Sequence, residues 1–165
     1  PGRLNVEVDN LPAETAYLSV PKFGGQTLDI HPDTRLAVGL VWSGPWGGRQ
    51  TTGTPSSAHH QNIALEDFGE LLGIPGVQLF SLERGAGGGD IARLGLQPLI
   101  EPVGSGLMDV ADVAGVIDQL DLLICVDSPA AHVAGALGKP VWMLSGPGAH
   151  WCWLLDKQIP RGIPA

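Results

Sequence analysis

Cysteine is nearly absent from this chain. Cys125 lies inside an apolar run and Cys152 between two tryptophans, and two residues so placed make neither a disulfide framework nor a zinc site, which needs about four ligands. A reducing compartment is the simpler expectation, and with it a cytoplasmic location. Basic side chains are scarce too: nine Lys and Arg stand against seventeen Asp and Glu. The net charge of −8 repels a phosphate backbone at long range and argues against general nucleic-acid binding. No apolar run approaches the roughly 20 residues of a membrane span. An initiator Met and a signal peptide are also missing before Pro1, and the chain closes on a Pro- and Gly-containing stretch, so a longer parent protein is expected.

What the chain does have is punctuation. Twenty-four Gly and fourteen Pro separate short apolar runs from helical patterns. The runs at 36–42 (LAVGLVW), 77–82 (VQLFSL), 98–100 with its neighbours, 122–126 (LLICV) and 141–144 (VWML) hardly alternate. Strands buried on both faces of a parallel sheet have this character.

Three helices are expected between the strands. Leu65, Phe68, Leu71 and Leu72 share a face behind Glu66 and Asp67, acids that the helix dipole favours in a first turn. Val113, Val116, Ile117 and Leu120 repeat at helical spacing behind Asp109 or Asp112 as a cap. The third helix has Ser128 as N-cap, Pro129 at its first position and Gly138 as its stop. Strands alternating with helices imply right-handed crossovers and an α/β, Rossmann-like parallel sheet flanked by helices, expected over residues 36–156. Residues 1–35 are expected to be the end of a preceding domain and a linker, and 157–165 a tail. The Gly-rich stretches 44–62 and 85–95 are expected to be mobile loops.

In an open parallel sheet, ligands bind beyond the carboxyl ends of the strands. The residues that follow these strands are Ser43-Gly44-Pro45, Glu83-Arg84-Gly85, a loop ending at Asp109, Asp127-Ser128-Pro129 and Ser145-Gly146-Pro147. Small, polar, backbone-exposing turns suit a ligand with phosphates, although tight turns use Gly, Ser and Asp for geometry alone about as often. The turn Asp127-Ser128-Pro129-Ala130-Ala131-His132 is the sharpest of them. A helix starting there presents the N–H groups of Ala130 and Ala131 to a pyrophosphate, with His132 as a further donor. Two other possibilities stand beside this one: His132 as a satisfied core histidine, and Ser128, His132 and Asp127 as a hydrolase triad. No nucleophile elbow surrounds Ser128, and an N-cap serine is usually spent on its helix.

The string from Leu120 to Trp142 (LDLLICVDSPAAHVAGALGKPVW) resembles the C-terminal half of bacterial glycosyltransferases often fused to tetratricopeptide repeats, relatives of the heptosyltransferases of glycosyltransferase family 9. Similar motifs occur at 38–44 (VGLVWSG), 81–85 (SLERG), 109–114 (DVADVA) and 151–153 (WCW), so that the resemblance runs over about residues 36 to 155. It implies the C-terminal domain of a GT-B fold that binds a nucleoside diphosphate sugar for inverting transfer, with no cofactor and no metal. The diphosphate is then expected at Ser43, Gly44, Asp127, Ser128, Pro129, Ala130, Ala131 and His132. The nucleoside is expected near Ser81, Glu83, Arg84, Asp109 and Asp112. The partners implied are the sugar nucleotide, an N-terminal GT-B domain carrying the acceptor site and general base, and tetratricopeptide repeats. Where the family has a basic run after the first strand, this chain has 57–65 (SAHHQNIAL), leaving Arg49 and Arg84 as the candidate cations. His59 and His60 substitute only when protonated, a minority state at neutral pH. A diverged or truncated binding or assembly module is therefore the chief alternative, and a sugar-nucleotide epimerase a weaker one.

Overall fold

A computed structural model describes residues 16–20, 26–44, 62–84 and 87–145. Five strands, β1 (Leu36–Val41), β2 (Val77–Ser81), β3 (Ile100–Pro102), β4 (Leu122–Val126) and β5 (Val141–Leu144), form one sheet in the order β3-β2-β1-β4-β5. Every pairing is parallel. The fold is α/β and Rossmann-like, as the unalternating runs imply. Most of β1 and all of β4 are buried, because the central strands meet side chains on both faces.

On one face, Val41, Phe80, Leu123 and Cys125 pack against α2 (Val110–Asp118) and α3 (Pro129–Ala136). On the other, Val38, Leu40, Trp42 and Ile124 pack with Phe68 and with Ile91 of α1 (Gly88–Arg93). Gly39 permits the first layer to close: a Cβ there would lie 2.5 Å from Leu120 Cδ1 and 3.0 Å from Leu123 Cδ1. Residues before β1 join the same core. Leu28 is buried, its N–H donates to Gln119 Oε1 (2.9 Å), and Gln119 Nε2 donates to the Gln26 carbonyl (2.9 Å).

Three expectations need correction. Leu65–Leu71 is a 3-10 helix, not an α-helix. Leu65, Phe68 and Leu71 are three residues apart, the spacing that a helix of three residues per turn stacks on one face. The stretch 85–95 is not wholly a loop, since α1 occupies most of it. Its helix is fixed from outside: Ile91 is buried, and Asp90 accepts from Trp42 Nε1 (3.2 Å) and Arg93 Nη2 (3.1 Å). It also ends properly, with Gly95 at φ 69° and the Leu96 N–H donating to the Ile91 carbonyl (2.9 Å), the arrangement of a Schellman cap. Finally, β5 is not buried on both faces, for it alternates, with Trp142 61% and Leu144 38% exposed. Among the described residues nothing pairs its outer edge.

Most of the expected loop at 44–62, with Arg49, His59 and His60, lies outside the described residues, as do 151–153 and the tail.

Candidate functional site at the carboxyl edge of the sheet

Parallel register decides where the turns go. Leu40 pairs with Ser81, Ser81 with Pro102, Val41 with Cys125 and Val126 with Leu144. Ser43, Glu83, Asp109, Asp127, Ser128 and Ser145 all follow those strand ends, so they share one edge of the sheet. A single rotation of pattern, strand then polar turn, brings them together from five separate stretches of chain.

Glu83 organises the β1–β2 part of this edge. It is a carboxyl group only 4% exposed. Its Oε1 accepts from the Trp42 and Ser43 N–H groups (2.6 Å each), and its Oε2 lies 2.5 Å from Ser43 Oγ. Burial raises its pKa above the usual 4.5; the Ser43 and Trp42 hydrogen bonds oppose that rise, and the charge of Asp90 adds to it. Two glycines make room. A Cβ at Gly87 would lie 2.5 Å from Glu83 Oε2, and one at Gly104 only 1.9 Å from the Glu83 carbonyl oxygen.

The other expected nucleoside contacts are largely engaged with the fold. Ser81 is buried, and its Oγ accepts from the Glu83 N–H (3.2 Å). Asp109 and Asp112 are both caps, where either alone was expected. Asp109 Oδ1 accepts from the Ala111 and Asp112 N–H groups (2.8 and 3.0 Å), while Asp112 Oδ2 accepts from those of Met108 and Asp109 (2.8 and 3.3 Å). This reciprocal capping box commits one oxygen of each carboxylate to the helix start. Arg84 reaches the Met108 carbonyl at 3.5 Å, joining the β2 loop to the β3 loop.

At the start of α3, Ser128 occupies the N-cap position with extended backbone, φ −150° and ψ 160°. Its side chain does not cap the helix, against expectation, and among the described residues its hydroxyl is buried without an oxygen or nitrogen hydrogen-bond partner. The nearby Cys125 thiol has its pKa pushed up to about 12, chiefly by burial, with the Ser128 hydroxyl acting against it and Asp127 adding to it. Ala130 and Ala131 are both buried, and the Ala131 N–H already donates to the Ser128 carbonyl (3.1 Å). His132 is exposed and is therefore no core histidine. Since no described nitrogen or oxygen partners the Ser128 hydroxyl, His132 does not activate it, and the hydrolase triad is not assembled. Pro129 stands exposed at the first helical position, and Asp127 is half-buried. Gly44 is buried, its N–H held by Asn62 Oδ1 (2.9 Å), a partner that the sequence pattern did not single out.

No group of His, Cys, Asp or Glu able to hold a metal ion occurs among the described residues. Among them, too, no helix is long and apolar enough to cross a membrane.

Fold and edge together define a Rossmann-like α/β domain whose polar turns converge on one side of the sheet. Residues 105–153, under a third of the chain, match the family model for glycosyltransferase family 9 (heptosyltransferase). The matched segment holds the α2 cap, β4, the Ser128 turn, α3 and β5. This supports a relationship to that family and glycosyltransferase function in general. Nothing among curated proteins or solved structures matches the chain.

Proposed function

We propose that the chain is the donor-binding domain of a glycosyltransferase of GT-B architecture. It holds a nucleoside diphosphate sugar with the diphosphate at the start of α3, just after Asp127. One observation carries this: within the segment that matches family 9, a buried hydroxyl without an oxygen or nitrogen partner among the described residues, that of Ser128, sits at a helix N-terminus on the carboxyl edge of a parallel sheet. A partnerless buried hydroxyl costs about 1–3 kcal/mol, and a phosphate oxygen would recover it. The helix start and the His132 ring would meet the charge of the departing diphosphate, so the proposal requires neither metal nor cofactor. Ser43 and Gly44 would border the phosphates, and Arg84 the nucleoside.

The acceptor, the general base and inverting geometry are assigned to a second, N-terminal GT-B domain. Tetratricopeptide repeats in the parent protein and a cytoplasmic location complete the proposal. Titration calorimetry of the folded chain with uridine, guanosine and adenosine diphosphates is the test. Saturable binding of at least one is expected; heat from none of them, with circular dichroism showing an intact fold, would overturn the assignment.

A specific observation favours a second reading, a diverged binding or assembly module. Glu83, Asp90, Asp109, Asp112 and Asp127 lie on or beside this edge, and Arg84 is the cation that the described residues bring to the β2–β3 side of it. Nucleotide binding that never leads to transfer, even with the N-terminal domain supplied, would select that module.

A further inference from the structure

We propose that Glu83 is a positioning residue that sets the hydrogen-bonding polarity of Ser43, so that an anionic ligand at this edge binds together with one proton. The inference rests on the phosphate-binding assignment above.

Its basis is the geometry between the ends of β1 and β2. Glu83 Oε1 receives two N–H groups, from Trp42 and Ser43. It is therefore the acceptor oxygen in either protonation state. Among the described residues Oε2 has one hydrogen-bond partner, the Ser43 hydroxyl, at 2.5 Å. When Glu83 is ionised, that contact needs the hydroxyl proton of Ser43, and the outward side of Ser43 Oγ is left with lone pairs alone. A phosphate oxygen finds no donor there and meets a negative charge behind it. When Glu83 carries a proton, the proton sits on Oε2 and is donated to Ser43. The hydroxyl hydrogen of Ser43 is then released towards the half-buried edge and can donate to the anion. Glu83 Oε2 gains an O–H bond with a proton taken from solvent, the two hydrogen bonds at Ser43 reverse, and the backbone clamp at Oε1 persists.

The surroundings pull both ways: the Trp42 and Ser43 hydrogen bonds hold the ionised form, but burial outweighs them and the pKa is raised. Burial and the Asp90 charge from α1 both act against ionisation. Arg84, next along the chain, has its guanidinium at the Met108 carbonyl. On the β3 side Gly104 presents no side chain, and Gly87 leaves Ser43 Oγ 3.3 Å from where its Cβ would be.

Glu83→Gln mimics the protonated state permanently: its carbonyl oxygen accepts from both N–H groups and its amide donates to Ser43 Oγ. Inorganic pyrophosphate and uridine diphosphate would be titrated into wild type, E83Q and S43A at a series of pH values, in buffers of different ionisation enthalpy to count protons. Titration of the ligand is common to all three proteins and cancels between them. In wild type, the affinity should fall by up to about tenfold per pH unit relative to E83Q as Glu83 ionises, with uptake of about one proton that E83Q lacks. S43A should bind weakly at every pH and lose the same excess slope. Equal slopes and proton counts in wild type and E83Q would overturn the inference while leaving the phosphate site standing. Absence of binding by all three folded proteins at every pH would overturn both.

Discussion

Glu83 imposes a stability cost whose pH dependence has a definite sign. Below the ordinary carboxyl pKa of 4.5, folded and unfolded chains are both protonated at this position and nothing is lost. As pH rises past that value the unfolded chain ionises first, because burial raises the pKa of the folded one. The folded state then holds the extra proton, so stability falls with pH until Glu83 ionises in the folded chain as well. E83Q should therefore gain in melting temperature over wild type as pH is raised above 4.5, until Glu83 ionises in the folded chain too, while the two proteins converge in acid. A pH-independent difference would contradict this account. His132 invites a different measurement. A charged hydrogen bond is worth roughly 1.5–3 kcal/mol, so His132→Ala should weaken nucleoside diphosphate binding by about one to two powers of ten. Unchanged affinity in the folded variant would leave the α3 start to act through its backbone and Ser128.

Among the elements, the loop after β3 depends on one hydrogen atom. A Cβ on Gly104 would fall 1.9 Å from the Glu83 carbonyl oxygen and 2.6 Å from its carbonyl carbon, both backbone atoms that cannot rotate away. Gly104→Ala should cost about 3 kcal/mol, the upper part of the overpacking range, and denaturant unfolding would register it as a lower midpoint with an unchanged slope. A cost near zero would mean that the loop yields freely. Such close approaches are invisible in the chain, whereas the strands were legible because their cause is local. The runs at 122–126 and 141–144 coincide with β4 and β5, and α3 lies between Ser128 and Gly138 with Pro129 at its first position, although the Ser128 hydroxyl makes no cap. Legibility failed where tertiary contacts override propensity. The three glycines 87–89 argue for a loop, yet Trp42 and the buried Ile91 hold α1 in place. Likewise Glu83 is identifiable as a post-strand acid, but only the parallel register of β1 with β2 lays it across Ser43.

The whole sheet gathers its polar turns on one edge, and under the proposed assignment that edge orients only one substrate. Holding donor against acceptor supplies a large part of a transfer reaction's acceleration. The 165-residue chain on its own should thus bind nucleotide but transfer no sugar, and release of labelled sugar above a protein-free control would refute this.

Strand order also governs how the molecule must be made. β4 is clamped between β1 and β5, and the Asp121 carboxylate just ahead of it accepts the Ala37 N–H from 84 residues away. At about 5–20 residues per second, a ribosome delivers that partner roughly 4–17 s after β1 has emerged. For that interval one edge of β1 is an apolar template open to any passing strand. The glycosyltransferase-like segment at 105–153 inherits the converse hazard. Cut out alone it would carry β4 with one flank bare, so it is a unit of resemblance without being a unit of folding.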